Sequence, residues 1–388
     1  MASPGMCRNA WNPNGGGSVP VILRQAGELI GEARRNHGRI GIPSVFHLPV
    51  LRAAHRERLN SKMASREGVM SPDADFIRNS LKMLRISGAT YAMGAKNKLK
   101  VSARSGSLLE VDLVAAKGKL DPESIVKISL GNDLRPEVPR HFILLDHASR
   151  SLVVAVRGTM SFSDVYTNLV CRPWPFGGGY AHEGMASSAR SLWNHLGTYV
   201  KKILPDGYSL KIVGHSLGGG IAILTALHLL TDQLESNFRR KTDISCWAYA
   251  SPPVFKGIRK LVPRVCNQIN CFVNRDDVVP TLSFARVGKI FEHLRMLDRV
   301  GWMDRWRALN CANPVEFLED KMQGRFSKRP DSEDLQLPGQ IYWMWGKDDF
   351  RLVKPGTLSE LMVSDTMLMN HMVGAYEQTL LSVLEEVE

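Results

Sequence analysis

Leu210-Lys211-Ile212-Val213-Gly214-His215-Ser216-Leu217-Gly218-Gly219-Gly220-Ile221-Ala222-Ile223-Leu224 decides the fold of this 388-residue chain. The run Leu210–Val213 reads as a strand, and Ile221–Leu234 reads as a helix. Between them stands G-x-S-x-G, from Gly214 to Gly218. A serine at the apex of a strand-to-helix turn is a nucleophile elbow: its backbone is strained, and small residues two before and two after let strand and helix approach. The helix N-terminus then offers backbone N–H groups, that of Leu217 first, and positive dipole to a developing oxyanion. The pentapeptide alone is weak, because a glycine-rich turn can hold a serine by chance. The apolar runs on both sides give it weight.

A serine hydroxyl is a poor nucleophile at neutral pH and needs a histidine base oriented by a carboxylate. For a strand–serine–helix elbow the chain order is Ser, then Asp or Glu, then His. His228, His293 and His371 follow Ser216. His228 falls in the helix behind the elbow and His293 in the helical stretch Phe284–Leu297, whereas His371 follows a turn near the C-terminus and suits the base. The acid is sought in Asn274-Arg275-Asp276-Asp277-Val278-Val279-Pro280, just after the strand Cys271–Val273. Spacing leaves Asp276 and Asp277 both open. Upstream, Val153–Val156 followed by Arg157-Gly158-Thr159 places the Thr159 N–H at a strand end, where it would join that of Leu217 as a second oxyanion donor.

Further out, Ser71-Pro72-Asp73 reads as a helix start capped by the serine hydroxyl, continued by Ile77, Leu81 and Leu84 on one face. Lys96–Lys119 reads as glycine- and turn-rich. Phe142–Leu145 and Leu152–Val156 read as a hairpin joined through 146–149. Leu210–Val213, Cys246–Ala250 and Cys271–Val273 are predicted strands, and Leu192–Leu204 and Ile221–Leu234 predicted helices. Strand–helix alternation predicts an α/β fold with a mostly parallel central sheet and helices on both faces. Residues 1–18 are rich in Gly, Pro and Asn, and Val21–Arg35 has helical apolar spacing. Over 20–70 nine Lys/Arg face four Asp/Glu. The expected division is an N-terminal extension, 1–70, and a catalytic unit, 71–388.

Lys and Arg number 50 and Asp and Glu 38, a net charge of +12, which favours anionic surfaces. No zinc-finger, RNP or basic-zipper pattern accompanies it, so nucleic acid is not an expected partner. The six cysteines show no CxxC pair and the N-terminus no secretory apolar stretch, which predicts reduced thiols and a cytoplasmic or membrane-peripheral protein. The longest apolar run, Ile221–Leu230, is too short to span a bilayer. His182-Glu183 lacks the second histidine of a zinc protease, so His182 is expected to be structural, as is Arg157. No metal and no cofactor are expected.

VVAVRGTMSFSDVYTNL (153–169), AHEGM (181–185), KIVGHSLGGGIAILTALHLL (211–230), CWAYASPP (246–253), NRDDVVP (274–280) and NHMVGAY (370–376) stand in one order along the chain. Together they resemble the class 3 lipases, and within them the sn-1-specific diacylglycerol lipases, over roughly 75–388. The resemblance implies an α/β-hydrolase fold and hydrolysis of a carboxylic ester of an acylglycerol through an acyl-enzyme on Ser216. It implies Asp277 as the acid, His371 as the base, and Thr159 in the oxyanion hole. Asp276 is then expected to face solvent or cap the next turn. Residues 160–181 resemble the family's lid, with Phe162, Tyr166, Leu169, Trp174 and Phe176 folded over the site in water and turning outward onto lipid. Substrates would be acylglycerols or phospholipids met at a membrane or lipid-droplet surface. Phospholipase A1 or galactolipid lipase activity is the alternative within this chemistry. A catalytically inactive lipid-binding module is the alternative outside it, disfavoured because serine, acid and histidine are all present.

Overall fold

A computed structural model describes residues 47–93, 106–129, 138–158, 173–235, 242–257, 261, 263–322, 334–361 and 363–388. The Val21–Arg35 segment, Thr159 and residues 160–172 lie outside them. Eleven strands are described: β1 Ile125–Ser129, β2 His141–Asp146, β3 Ser151–Val156, β4 Pro173–Phe176, β5 Gly179–His182, β6 Ser209–His215, β7 Ile244–Tyr249, β8 Phe255–Lys256, β9 Ile269–Asn274, β10 Gln340–Gly346 and β11 Asp349–Val353. The helices are α1 Leu48–Ala64, α2 Ala74–Ala89, α3 Gly106–Gly118, α4 Glu183–Ile203, α5 Leu217–Glu235, α6 Pro263–Cys266, α7 Phe284–Asp298, α8 Trp302–Asn310, α9 Pro314–Lys321 and α10 Val373–Val387.

The central sheet runs β1-β2-β3-β6-β7-β9-β10-β11. From β3 to β10 the strands are parallel, with Val154 opposite Ile212 and Val213 opposite Trp247. The expected hairpin is β2–β3, and a second one, β10–β11, closes the other edge. Apolar side chains alternate between the faces, as a two-residue period demands when helices cover both. Val154, Val156, Ile212, Cys246, Cys271 and Ile341 join one buried cluster with α4, α5, α1 and α7. Val153, Ala155, Val213, Tyr249, Phe272 and Met344 join another with α2, α3 and α10. Tyr249 and Phe272 stack across strands with ring centroids 4.8 Å apart. This α/β-hydrolase architecture carries loops for a ligand beyond the C-terminal ends of its parallel strands.

Three expectations change. The cap of α2 is Asp73, whose carboxylate accepts the Phe76 N–H at 3.0 Å, and not Ser71. The turn-rich reading of Lys96–Lys119 fails over Gly106–Gly118: it is a helix, with glycines at its two ends and the buried Val114 and Ala115 within. Residues 173–182 form an antiparallel hairpin, β4–β5, that pairs with β8. Within it Phe176 is buried in the core rather than poised to turn outward, while Trp174 and Tyr180 are exposed.

Candidate active site

The elbow is built as the motif requires. Ser216 has φ +57°, a left-handed conformation costly for a non-glycine residue, and its N–H is held by the Tyr249 carbonyl at 2.9 Å. A Cβ on Gly214 would stand 2.2 Å from the Gly218 carbonyl oxygen, and one on Gly218 2.4 Å from that of Val156. Only glycine at these two places lets β6, α5 and β3 meet. Leu217 opens α5, so its N–H is among those an α-helix leaves without an intrahelical acceptor.

His371 Nε2 lies 3.1 Å from Ser216 Oγ, and its Nδ1 lies 3.0 and 3.1 Å from the two Asp277 oxygens. The carboxylate only accepts, so Nδ1 carries the proton and Nε2 accepts from the serine hydroxyl. Asp277 is also the acceptor for the Tyr376 hydroxyl at 2.7 Å and the Val279 N–H at 3.0 Å. Burial and the adjacent carboxylate push the Tyr376 phenol well above its ordinary pKa, which keeps it a donor. All four groups are buried, and Ser216 is only 1% exposed.

Behind the serine, His215 joins two of these elements. Its Nε2 faces the His371 carbonyl at 2.8 Å, and its Nδ1 the Tyr91 hydroxyl at 2.8 Å. A carbonyl only accepts, so Nε2 carries the proton and Nδ1 accepts from tyrosine. Burial, with His371 nearby, pushes the His215 pKa well below its usual value, and the ring stays neutral. His215, Tyr91 and Tyr376 were not singled out in the sequence. Two of them, however, sit inside motifs it offered, G-H-S-L-G and NHMVGAY.

Of the other candidates, His228 lies in α5 against Phe176 and His293 in α7 beside His55. His182 caps α4, its Nδ1 accepting the Met185 N–H at 3.3 Å, and Arg157 donates to the Met93 carbonyl at 2.6 Å. Asp276 is neither solvent-facing nor a cap. It receives side-chain hydrogen bonds from Ser364, Thr366 and Asn370. Among the described residues no group of three or more His, Cys, Asp or Glu could hold a metal ion, and no helix is long and apolar enough to cross a membrane.

A mostly parallel sheet with a serine at a left-handed strand-to-helix turn, facing a histidine and an aspartate from later strand-end loops, defines an α/β-hydrolase. Residues 153–287 match the family model Lipase (class 3). The chain is 40% identical over 98 residues to diacylglycerol lipase-beta of Mus musculus, covering 22% of this chain and 14% of that protein. It is 23% identical over 282 residues to a chloroplastic phospholipase A1 of Arabidopsis thaliana, covering 65% and 42%. A solved lipase structure from Rhizopus microsporus var. chinensis aligns over 78% of this chain and 88% of that one, with TM-score 0.49 and 17% identity. The chain thus spans less than half the length of either of these curated relatives.

Proposed function

We propose that the protein hydrolyses a carboxylic ester of an acylglycerol lipid through an acyl-enzyme on Ser216. The observation that carries this reading is the hydrogen-bonded series Ser216 Oγ, His371, Asp277, buried beside a strained elbow. Ser216 Oγ attacks the ester carbonyl while His371 Nε2 takes its proton. The Leu217 N–H, and with it that of Thr159, receives the charge on the carbonyl oxygen. His371 returns the proton to the departing glycerol oxygen, leaving the acyl group on Ser216. Water then attacks the acyl-enzyme with His371 as base, releasing the fatty acid. Asp277 keeps the proton on Nδ1 and stabilises the imidazolium.

Acylglycerol as substrate is supported by the likeness to diacylglycerol lipase-beta, and phospholipid as a second substrate class by the likeness to a phospholipase A1 over a longer stretch. A lipid surface as the place of action is supported by the net charge of +12 and by exposed apolar side chains. Met369 and Met372 flank His371 and are 58% and 48% exposed, and Trp302 and Trp306 on α8 are 73% and 63% exposed. A reducing, cytoplasmic setting is supported by Cys246, Cys266, Cys271 and Cys311 being free thiols. The lid is proposed for residues 160–172 alone, because 173–182 form a paired hairpin with Phe176 in the core. The test is a comparison of wild type with Ser216→Ala on diacylglycerol, triacylglycerol and phospholipid. Release of fatty acid by both proteins alike would refute the reading.

A further inference from the structure

His371 comes from a long irregular segment. Between the short helical turn Pro355–Leu358 and α10 the described chain forms no strand and no α-helix, only bends and turns. Such a segment has no ladder of its own to fix its position, and tenths of an ångström at His371 Nε2 matter to proton transfer. What fixes it comes from two other elements. From the acid loop, one Asp276 oxygen accepts from Ser364 and from the Thr366 hydroxyl at 2.7 Å, while its second oxygen accepts from the Asn370 amide. The Asn274 amide adds a bond to the Asn370 carbonyl at 3.1 Å, and the Val278 N–H one to the Met367 carbonyl at 3.3 Å. Asp276 thus ties three side chains of the segment, the last one residue before His371, to the residue preceding Asp277.

The second element is α1, which lies far upstream of the lipase-matched stretch. The buried His55 accepts the Val363 N–H on its Nδ1 at 2.9 Å. Arg52 pairs with Asp365 and Arg58 with Glu360. Burial, with His293, Arg58 and Lys62 close by, lowers the His55 pKa to about 3, so Nδ1 is free to accept at any working pH. The two arginine pairs are partly solvated and worth little alone. The neutral imidazole and the Asp276 carboxylate are the fixed points.

We propose that Asp276 and His55 are positioning residues for the reaction: from two separate elements they hold the segment that delivers His371 to Ser216. This rests on the hydrolase reading of Ser216 and adds to it a second aspartate with a duty distinct from that of Asp277. It also makes α1 a working part of the catalytic unit, which then begins before residue 71. Neither residue touches the substrate, so their loss should slow the chemical step and leave substrate binding alone.

The experiment measures kcat and KM on a short-chain p-nitrophenyl ester below its solubility limit, with melting temperature recorded for each variant. Asp276→Ala should lower kcat by about 10–100-fold with KM within about twofold. Asp276→Asn should recover most of that loss. Its carbonyl oxygen can accept from Asn370, and the Ser364 and Thr366 hydroxyls can turn to accept from its amide. His55→Ala should lower kcat by a smaller factor, and His55→Asn, which keeps an acceptor for the Val363 N–H, should restore it. Ser364→Ala with Thr366→Val should lower kcat in the same way and add nothing to Asp276→Ala. If Asp276→Ala does not fold, that surface pair carries the test. Wild-type kcat in a folded Asp276→Ala or in the pair would overturn the proposal, and so would equal losses for Ala and Asn at 276, or a loss confined to KM. A Ser216→Ala variant that keeps its activity would sink the hydrolase reading instead, whatever Asp276 does.

Discussion

At Asp277 three donors converge on one carboxylate, and this sets the order of sensitivity among single residues. Ser216→Ala removes the nucleophile and should lower kcat by about 10⁴–10⁶-fold with the melting temperature little changed. Asp277→Asn presents an amide where His371 Nδ1–H needs an acceptor, which favours the wrong tautomer, so kcat should drop by about 10⁴-fold. Asp276→Asn, with its reversible hydroxyl partners, should stay far closer to wild type. Equal losses at 276 and 277, measured side by side, would overturn the division of labour. Tyr376→Phe deletes one charge-assisted bond to a buried carboxylate and should destabilise the fold by about 1.5–3 kcal/mol. A melting curve unchanged by that substitution would show that the phenol is not holding Asp277. Ser216, His371 and the acid loop were legible in the sequence because each sits in a short motif with a local reason for its residues. Tyr91 and Tyr376 were not: their partners lie 124 and 99 residues away, and nothing near them in the chain announces a bond to His215 or Asp277.

Among the elements, those whose pattern is set by burial on one sheet could be read directly. The strands β2, β3, β6, β7 and β9 carry alternating or continuous apolar runs, and the structure moves each of their ends by at most two residues. The helix α3 was missed because glycines bound it at both ends and read as turns, although the apolar stretch between them is what α2 and the sheet cover. Helix α1 offered little amphipathic signal, since its two sides pack differently: Leu51 and Ala54 enter the core while His55 and Arg58 reach the His371 segment. Its buried histidine makes a prediction about pH. The folded-state pKa of His55 lies at about 3, and that of His141 at about 4, both lowered chiefly by burial from 6.5. A lowered histidine pKa means the unfolded chain binds the proton more readily. The stability is therefore complete above about pH 6.5 and is lost as pH falls toward 4, by up to about 1.4 kcal/mol per pH unit for each ring. Denaturant midpoints measured from pH 7.5 to 5.0 should fall steadily. His55→Asn, which cannot titrate, should flatten part of that slope. A slope unchanged in this variant would show that the buried ring does not govern it.

For the whole molecule, charge and exposed apolar surface bear on where the ester is met. A net charge of +12 gives the protein a field that attracts anionic phospholipid, and such attraction is screened once the Debye length shrinks to about 8 Å near physiological salt. Charge alone would give weak, reversible contact. The apolar side chains near the His371 segment would supply the second ingredient of the proposed lipid contact. Arg52 pairs with Asp365 in that segment, and five residues earlier His47 pairs with Asp298 at the end of α7 and meets Arg305 of α8. Trp302, Met303 and Trp306 are therefore exposed on a helix that adjoins the same end of α1, while Met369 and Met372 border His371 itself. Indole rings seated at the headgroup level would bring that rim, and with it the buried Ser216, against the lipid. Two separable results are expected. Vesicles rich in anionic phospholipid should bind the protein at low salt and release it progressively as salt rises, whereas neutral vesicles should bind it weakly at all salt concentrations. If 160–172 act as the proposed lid, activity on a short-chain ester should rise abruptly as the substrate passes its solubility limit, because an interface offers apolar surface for a lid to turn onto. Replacing Trp302 and Trp306 by alanine should weaken vesicle binding while leaving hydrolysis of the dissolved ester unchanged. Binding to anionic vesicles that ignores salt would remove the electrostatic half of this account, and a smooth rate through the solubility limit would remove the interfacial half.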